Sequence, residues 1–156
     1  MKKYISCQSP AGLLYIADEG GAITNIEFDR RFKPPADWEN AGTPLTRRME
    51  EELGEYFAGK RREFDLPLAP RGTAFQLSVW EELRRIPYGE TRAYGDLAKN
   101  IGNPKACRAV GMANNRNPIS IVIPCHRVIG AGGALVGYGG GLDIKALLLD
   151  LEKGDA

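Results

Sequence analysis

Two prolines and a glycine, Pro67, Pro70 and Gly72, divide this chain into parts of different character. Before them, residues 13–17 are apolar and residues 22–28 alternate, with Ile26 and Phe28 on one face. A period of two predicts short strands. Glu19-Gly20-Gly21 suits a tight hairpin between them, and Lys33-Pro34-Pro35 marks a loop. Thr43 and Pro44 supply an N-cap and a first helical residue. Leu45, Met49, Leu53, Tyr56 and Phe57 then recur at helical spacing, and Gly59 can close the helix. Residues 62–66 are expected to return as a strand. The expectation for residues 1–70 is an α/β domain, a small sheet plus a helix.

After the break the pattern turns helical. Thr73 caps a predicted helix through Arg85, whose Phe75, Val79, Leu83 and Ile86 form a core stripe ended by Pro87-Tyr88-Gly89. Residues 94–101 predict a second helix with Leu97, Ala98 and Ile101 inward. Gly102-Asn103-Pro104 reads as a stop, a cap and a first helical residue, opening a third helix over about residues 105–114. Ala106, Ala109, Val110 and Ala113 supply its core face, while Lys105, Arg108, Met112 and Asn115 share another. Two short helices joined by a Gly-containing turn, the second basic and rich in small residues, describe a helix-turn-helix. Many helical hairpins bind nothing, so the spacing alone does not establish DNA binding. Residues 143–153 form a last helix, with Leu147, Leu148 and Leu151 packing and Glu152 near its end. The expectation for residues 71–156 is a mainly α domain.

Net charge near +1 conceals an asymmetry. Residues 1–70 carry 10 basic and 12 acidic side chains; residues 71–156 carry 11 and 8. Between Arg84 and Arg127, eight basic residues (Arg84, Arg85, Arg92, Lys99, Lys105, Arg108, Arg116, Arg127) face only Glu90 and Asp96, a plausible phosphate-binding surface. No apolar run approaches the ~20 residues that span a bilayer, and the N-terminus lacks the apolar stretch of a secretory signal. Three cysteines, Cys7, Cys107 and Cys125, are an odd number without C-x-x-C spacing, which argues against a disulfide framework. With one histidine, a zinc site is not expected. A reducing cytoplasm is the natural compartment.

Ile123-Pro124-Cys125-His126-Arg127-Val128 sets a thiol beside the only histidine. The thiolate is the reactive form, and an unperturbed pKa of ~8.5 leaves only a few per cent of it near neutrality. A neighbouring imidazole can take the proton. Adjacent side chains of a strand point to opposite faces, so a cooperating pair requires a turn after Pro124 or a proton relayed through water. The ordinary alternative is a buried cysteine next to a surface histidine.

The chain resembles the O6-alkylguanine-DNA alkyltransferases, also called methylated-DNA–protein-cysteine methyltransferases. The resemblance runs through Gly72-Thr73-Ala74-Phe75-Gln76, Ile86-Pro87-Tyr88-Gly89-Glu90-Thr91, Tyr94-Gly95-Asp96-Leu97-Ala98 and Arg108-Ala109-Val110-Gly111. It continues through Asn117-Pro118, Ile123 to Gly130 and Gly137-Tyr138-Gly139-Gly140-Gly141-Leu142 to Glu152. It implies a ribonuclease-H-like first domain, a winged-helix-like second domain, and direct reversal of alkylation in double-stranded DNA by a monomer. No cofactor, metal or membrane is implied.

By resemblance, Cys125 accepts the alkyl group in a single turnover, His126 takes its proton through a water, and Glu152 orients the imidazole. Asn117 bridges the helix-turn-helix and the active-site turn. Tyr94 donates to the leaving guanine, the carbonyls of Cys125 and Val128 receive its exocyclic amine, the Gly139 amide faces O6, and Tyr138 walls the pocket. The base must be flipped out; Arg108 fills its place, with Lys105, Ala109 and Asn115 on the helix laid in the minor groove. Cys107 is expected to be a small buried residue without a role. Two other readings are a lesion-binding protein that flips alkylguanine without repair, against which Cys125 argues, and a cysteine hydrolase, which leaves the basic helix-turn-helix unexplained.

Overall fold

A computed structural model describes residues 1–133, 135 and 137–154, with the Ala131 side chain outside that description. The chain forms two compact units, Met1–Pro70 with Pro118–Ser120, and Arg71–Asn117 with Ile121–Ala156.

The first unit is a four-stranded sheet with one helix. β1 (Lys3–Ser9), β2 (Gly12–Glu19), β3 (Ala22–Phe28) and β4 (Glu39–Asn40) lie in the order β3-β2-β1-β4, with β1–β2 and β2–β3 antiparallel and β1–β4 parallel. Gly20 and Gly21, at φ 63° and 83°, supply the left-handed pair that a two-residue hairpin turn needs. α1 (Pro44–Phe57) starts with a reciprocal capping box between Thr43 and Thr46. It ends in a left-handed Gly59, where Lys60 N donates to the Glu55 carbonyl at 2.8 Å. Met49, Leu53 and Tyr56 of α1 and Leu14, Ile16, Ile23, Ile26 and Phe28 of the sheet form this core, each side chain contributing about 1.5–3 kcal/mol.

The expected strand over residues 62–66 is absent. Only Leu68 bridges, to Ile23, through Ile23 N to the Pro67 carbonyl and Ala69 N to the Ile23 carbonyl. Pro67 and Pro70 lack the N–H groups that would extend the ladder, and Arg61 bonds Glu55 and the Glu63 carbonyl instead.

The second unit holds α2 (Ala74–Leu83), β5 (Arg92–Ala93), α3 (Tyr94–Asn100), α4 (Cys107–Asn115), β6 (Val128–Ile129) and α5 (Leu142–Lys153), with β5 and β6 paired in parallel. Thr73 and Gln76 cap α2 reciprocally. Trp80 Nε1 donates to the Ala113 carbonyl at 2.8 Å, tying α2 to α4 over a core of Val79, Leu83, Leu97, Ala98 and Val110.

α4 starts later than expected. Asn103 N donates to the Ala98 carbonyl, so Asn103 closes α3 rather than capping α4, and Ala106 N to the Asn103 carbonyl places Pro104 and Lys105 in a turn. Val110, Ala113 and Asn114 then form the inward row, leaving Ala109 exposed instead of buried. Cys107, at the first position of α4, is likewise exposed, which corrects the expectation of a buried residue.

Gly72 precedes α2 where a Cβ would lie 2.5 Å from the Trp80 ring and 2.6 Å from Gln76 Oε1. The ring is held by its bond to Ala113 and cannot retreat. Gly72→Ala should cost about 1–3 kcal/mol through overpacking, read as a lower thermal midpoint; an unchanged midpoint would refute the crowding.

Candidate active site

Cys125 and His126 lie on a single 3₁₀ turn, Cys125–Arg127, immediately after Pro124. Three residues per turn set successive side chains about 120° apart, where a strand would send them to opposite faces. Cys125 is 4% exposed and His126 fully buried.

His126 Nε2 is 2.7 Å from Glu152 Oε2. Arg127 grips the same carboxylate with Nε to Oε1 at 2.8 Å and Nη2 to Oε2 at 3.0 Å, and Gly89 N adds a bond to Oε1 at 3.3 Å. Burial alone would raise Glu152, but the hydrogen bonds from His126 and Arg127 and the charge of Arg127 hold it well below the usual carboxylate range. Burial, against the pull of Glu152, pushes the His126 pKa down. With Arg127 already supplying a full cation, the pair is ionised carboxylate and neutral imidazole. Nε2–H then donates to Glu152, and the lone pair resides on Nδ1, which is buried without a protein partner.

Arg127 therefore leaves the phosphate surface to which its charge assigned it. Its third arm, Nη1, donates to the Ile86 carbonyl at 2.7 Å, and its guanidinium sits 5.7 Å from the Tyr88 ring centre. Glu152 is no solvated charge either, being 7% exposed. Lys99, Lys105, Arg108 and Arg116 remain exposed on the second unit.

The loop into the turn is tightly held. Asn117 Nδ2 donates to the Ile123 carbonyl at 2.7 Å. Between them Ile121, 1% exposed, has φ 73°, a left-handed conformation that costs a β-branched residue about 1–3 kcal/mol.

Tyr94, the first residue of α3, is half-buried, and its hydroxyl donates to the Gly137 carbonyl at 3.4 Å. Burial and the charge of Cys125 raise its pKa, and a hydrogen bond from Asn114 opposes them. The two carbonyls expected to receive a guanine amine already have donors. Cys125 O accepts from Val128 N and from Asn114 Nδ2 at 3.3 Å, and Val128 O accepts from the buried Lys145 ammonium. Burial lowers the Lys145 pKa, with Cys125 pulling it back up. Tyr138 and Gly139 are half-buried just before α5. On α4, Arg108 and Ala109 are exposed, while Asn115 is half-buried near Gly137.

Asn114, Arg127 and Lys145 escape sequence reasoning. An alkyl-site lysine or arginine carries the same letter as a solvated one; only a position in the inward row, at Asn114 after Val110, could have flagged a partner. Among the described residues, no group of three or more His, Cys, Asp or Glu is placed to hold a metal, and no helix is long and apolar enough to cross a membrane. The other thiols differ from Cys125: that of Cys7 is pushed up to about 11 by burial and by Glu50, and Cys107 is exposed.

Residues 2–70 match the family model described as the 6-O-methylguanine DNA methyltransferase ribonuclease-like domain, and residues 74–154 that of the DNA binding domain. A methylated-DNA–protein-cysteine methyltransferase of Methanosarcina acetivorans is 52% identical over 153 residues, 96% of this chain and 97% of that protein. A constitutive one of Bacillus subtilis is 46% identical over 98% of this chain and 96% of its own length. The crystal structure of Mycobacterium tuberculosis O6-methylguanine methyltransferase is similar with a TM-score of 0.91 at 47% identity, covering 100% of this chain and 95% of that one. A structure of the M. tuberculosis protein in complex with DNA gives a TM-score of 0.92 over 99% of this chain and 94% of that one, at 47% identity. With both halves matched in order and full-length relatives at this identity, the chain belongs to the 6-O-methylguanine DNA methyltransferase family.

Proposed function

We propose that this protein repairs DNA by moving the alkyl group of O6-alkylguanine onto Cys125, once per protein molecule. The observation that carries the reading is the buried chain His126–Glu152–Arg127 beside Cys125, which leaves a neutral imidazole with a bare Nδ1 lone pair. The thiol proton passes to Nδ1 through a water, Sγ attacks the alkyl carbon, the C–O6 bond breaks, and the released guanine takes a proton from Tyr94. Water does not displace a thiolate from an unactivated alkyl carbon at ordinary rates, so the thioether persists and turnover ends there.

The nucleotide must leave the stack for Sγ to reach it, at a cost of a few kcal/mol. Arg108 fills the gap, from a helix whose exposed Ala109 permits close approach to a minor groove. The DNA complex of the similar M. tuberculosis protein supports DNA as partner. Asn117 holds the active-site turn, Tyr138 and Gly139 border the base, and Lys105 and Asn115 flank the DNA. Residues 1–70 and 71–156 act as the two domains of a cytoplasmic monomer, where a reducing environment keeps Cys125 free.

Incubation with a duplex carrying O6-methylguanine, followed by intact-protein mass, tests this. The expected result is one methyl gained on Cys125 and none in Cys125→Ala. Binding without mass gain would favour lesion recognition alone, and repeated hydrolysis of an ester a hydrolase. Arg108→Ala should slow repair of the duplex far more than reaction with free O6-benzylguanine; equal losses would remove the gap-filling role.

A further inference from the structure

Alkyl transfer as described leaves the buried Asn114 amide without a task. Asn114 is the last but one residue of α4, 1% exposed, in the inward row with Val110 and Ala113. An amide at such a position is held by the hydrogen bonds it makes. Nδ2 donates to the Cys125 carbonyl at 3.3 Å, across eleven residues of chain. The side chain also bonds Tyr94. Because Oδ1 is buried without a partner, that second bond runs from the other Nδ2 hydrogen to the phenol oxygen. One NH₂ group thus joins the backbone of the acceptor residue to the phenol on α3.

Resting on the alkyl-transfer reading above, we propose that Asn114 is a positioning residue for the leaving group, which holds the Tyr94 phenol beside Cys125 and polarises its O–H toward the departing guanine. A phenol oxygen that accepts an N–H becomes a stronger O–H donor, because hydrogen bonds in a chain polarise one another. Burial and the Cys125 charge make Tyr94 a reluctant acid; the Asn114 amide opposes both. The effect is confined to electrophiles whose leaving group needs that proton. When the Sγ–C bond forms and C–O6 breaks, guanine collects the phenolic proton; when iodide leaves iodoacetamide, no proton is required.

The test is a double-mutant cycle of Asn114→Leu, Tyr94→Phe and the pair, with rates of Cys125 alkylation by O6-benzylguanine and by iodoacetamide read by intact mass. Asn114→Leu should slow the benzylguanine reaction about tenfold, the worth of one hydrogen bond, and leave iodoacetamide within about twofold. The pair should react no more slowly than Tyr94→Phe alone, because Asn114 acts through that phenol. Equal slowing with both reagents, additive losses in the pair, or no loss at all would each overturn the proposal. Asn114→Ser serves the same cycle if the leucine variant melts below the assay temperature. A parent protein that reacts with iodoacetamide yet gains no benzyl group would sink the alkyl-transfer reading itself, an outcome separate from the role of Asn114.

Discussion

His126→Gln slows alkylation of Cys125 by about 10²–10⁴-fold, the usual contribution of a positioned base. Glutamine keeps a donor for Glu152 and takes no proton, so the loss falls on O6-benzylguanine and iodoacetamide alike. That pattern separates a base for the thiol from a group acting on the leaving base. A variant as fast as the parent would show that the imidazole does not ionise the sulfur. The pH dependence follows from burial, which holds His126 below its ordinary value. The neutral form then persists below pH ~6.5, and the acid limb of the parent's rate lies on that lower side.

Stability carries the same signature. Below pH ~6.5 the unfolded chain binds a proton that folded His126 refuses, so stability falls with decreasing pH by up to about 1.4 kcal/mol per unit. Glu152 acts lower still: its folded pKa is depressed, so its contribution is complete above pH ~4.3 and lost as pH drops through the folded value. Glu27, pushed up to about 7 by burial, has the opposite sign, stabilising less as pH rises from ~4.3 toward that value. It is common to parent and variant. Subtracting urea stabilities of His126→Gln from the parent between pH 7 and 5 isolates the histidine. An equal slope in both would contradict a buried neutral imidazole.

Arg127→Met destabilises the fold by about 3–5 kcal/mol, the cost of leaving one partner of a buried ion pair uncompensated. Glu152, 1% exposed at its side chain, would lose the guanidinium that balances its buried charge. The double variant Arg127→Met/Glu152→Gln recovers most of that loss, because the unpaired charge disappears with it. Urea midpoints at unchanged m-value measure both. A phosphate contact would behave otherwise. Its removal would leave the midpoint in place and reduce the salt slope of DNA binding by about one unit.

Much of this protein is local and could be read from neighbouring letters. The capping boxes at Thr43 and Thr73 and the Gly20-Gly21 turn lie within four residues of what they organise. So does the Pro124-Cys125-His126 turn. The ordered motifs of the second domain likewise point to the family before any coordinates, since they are short and contiguous.

Tertiary structure decided which charges are working parts. Arg127 resembles seven other basic residues in its segment until Glu152, 25 residues on, folds against it. Glu152 is an ordinary terminal-turn acid until it meets Gly89, 63 residues back. Cys107 and Ala109 were misplaced because Asn103 closes one helix instead of opening the next, which rotates the following row. Periodicity names the apolar face of an element, since burial of apolar surface is non-directional and set by spacing along the chain. A buried polar group is stable only against specific partners at bonding distance, and those partners are distant in sequence, so only the folded chain reveals them.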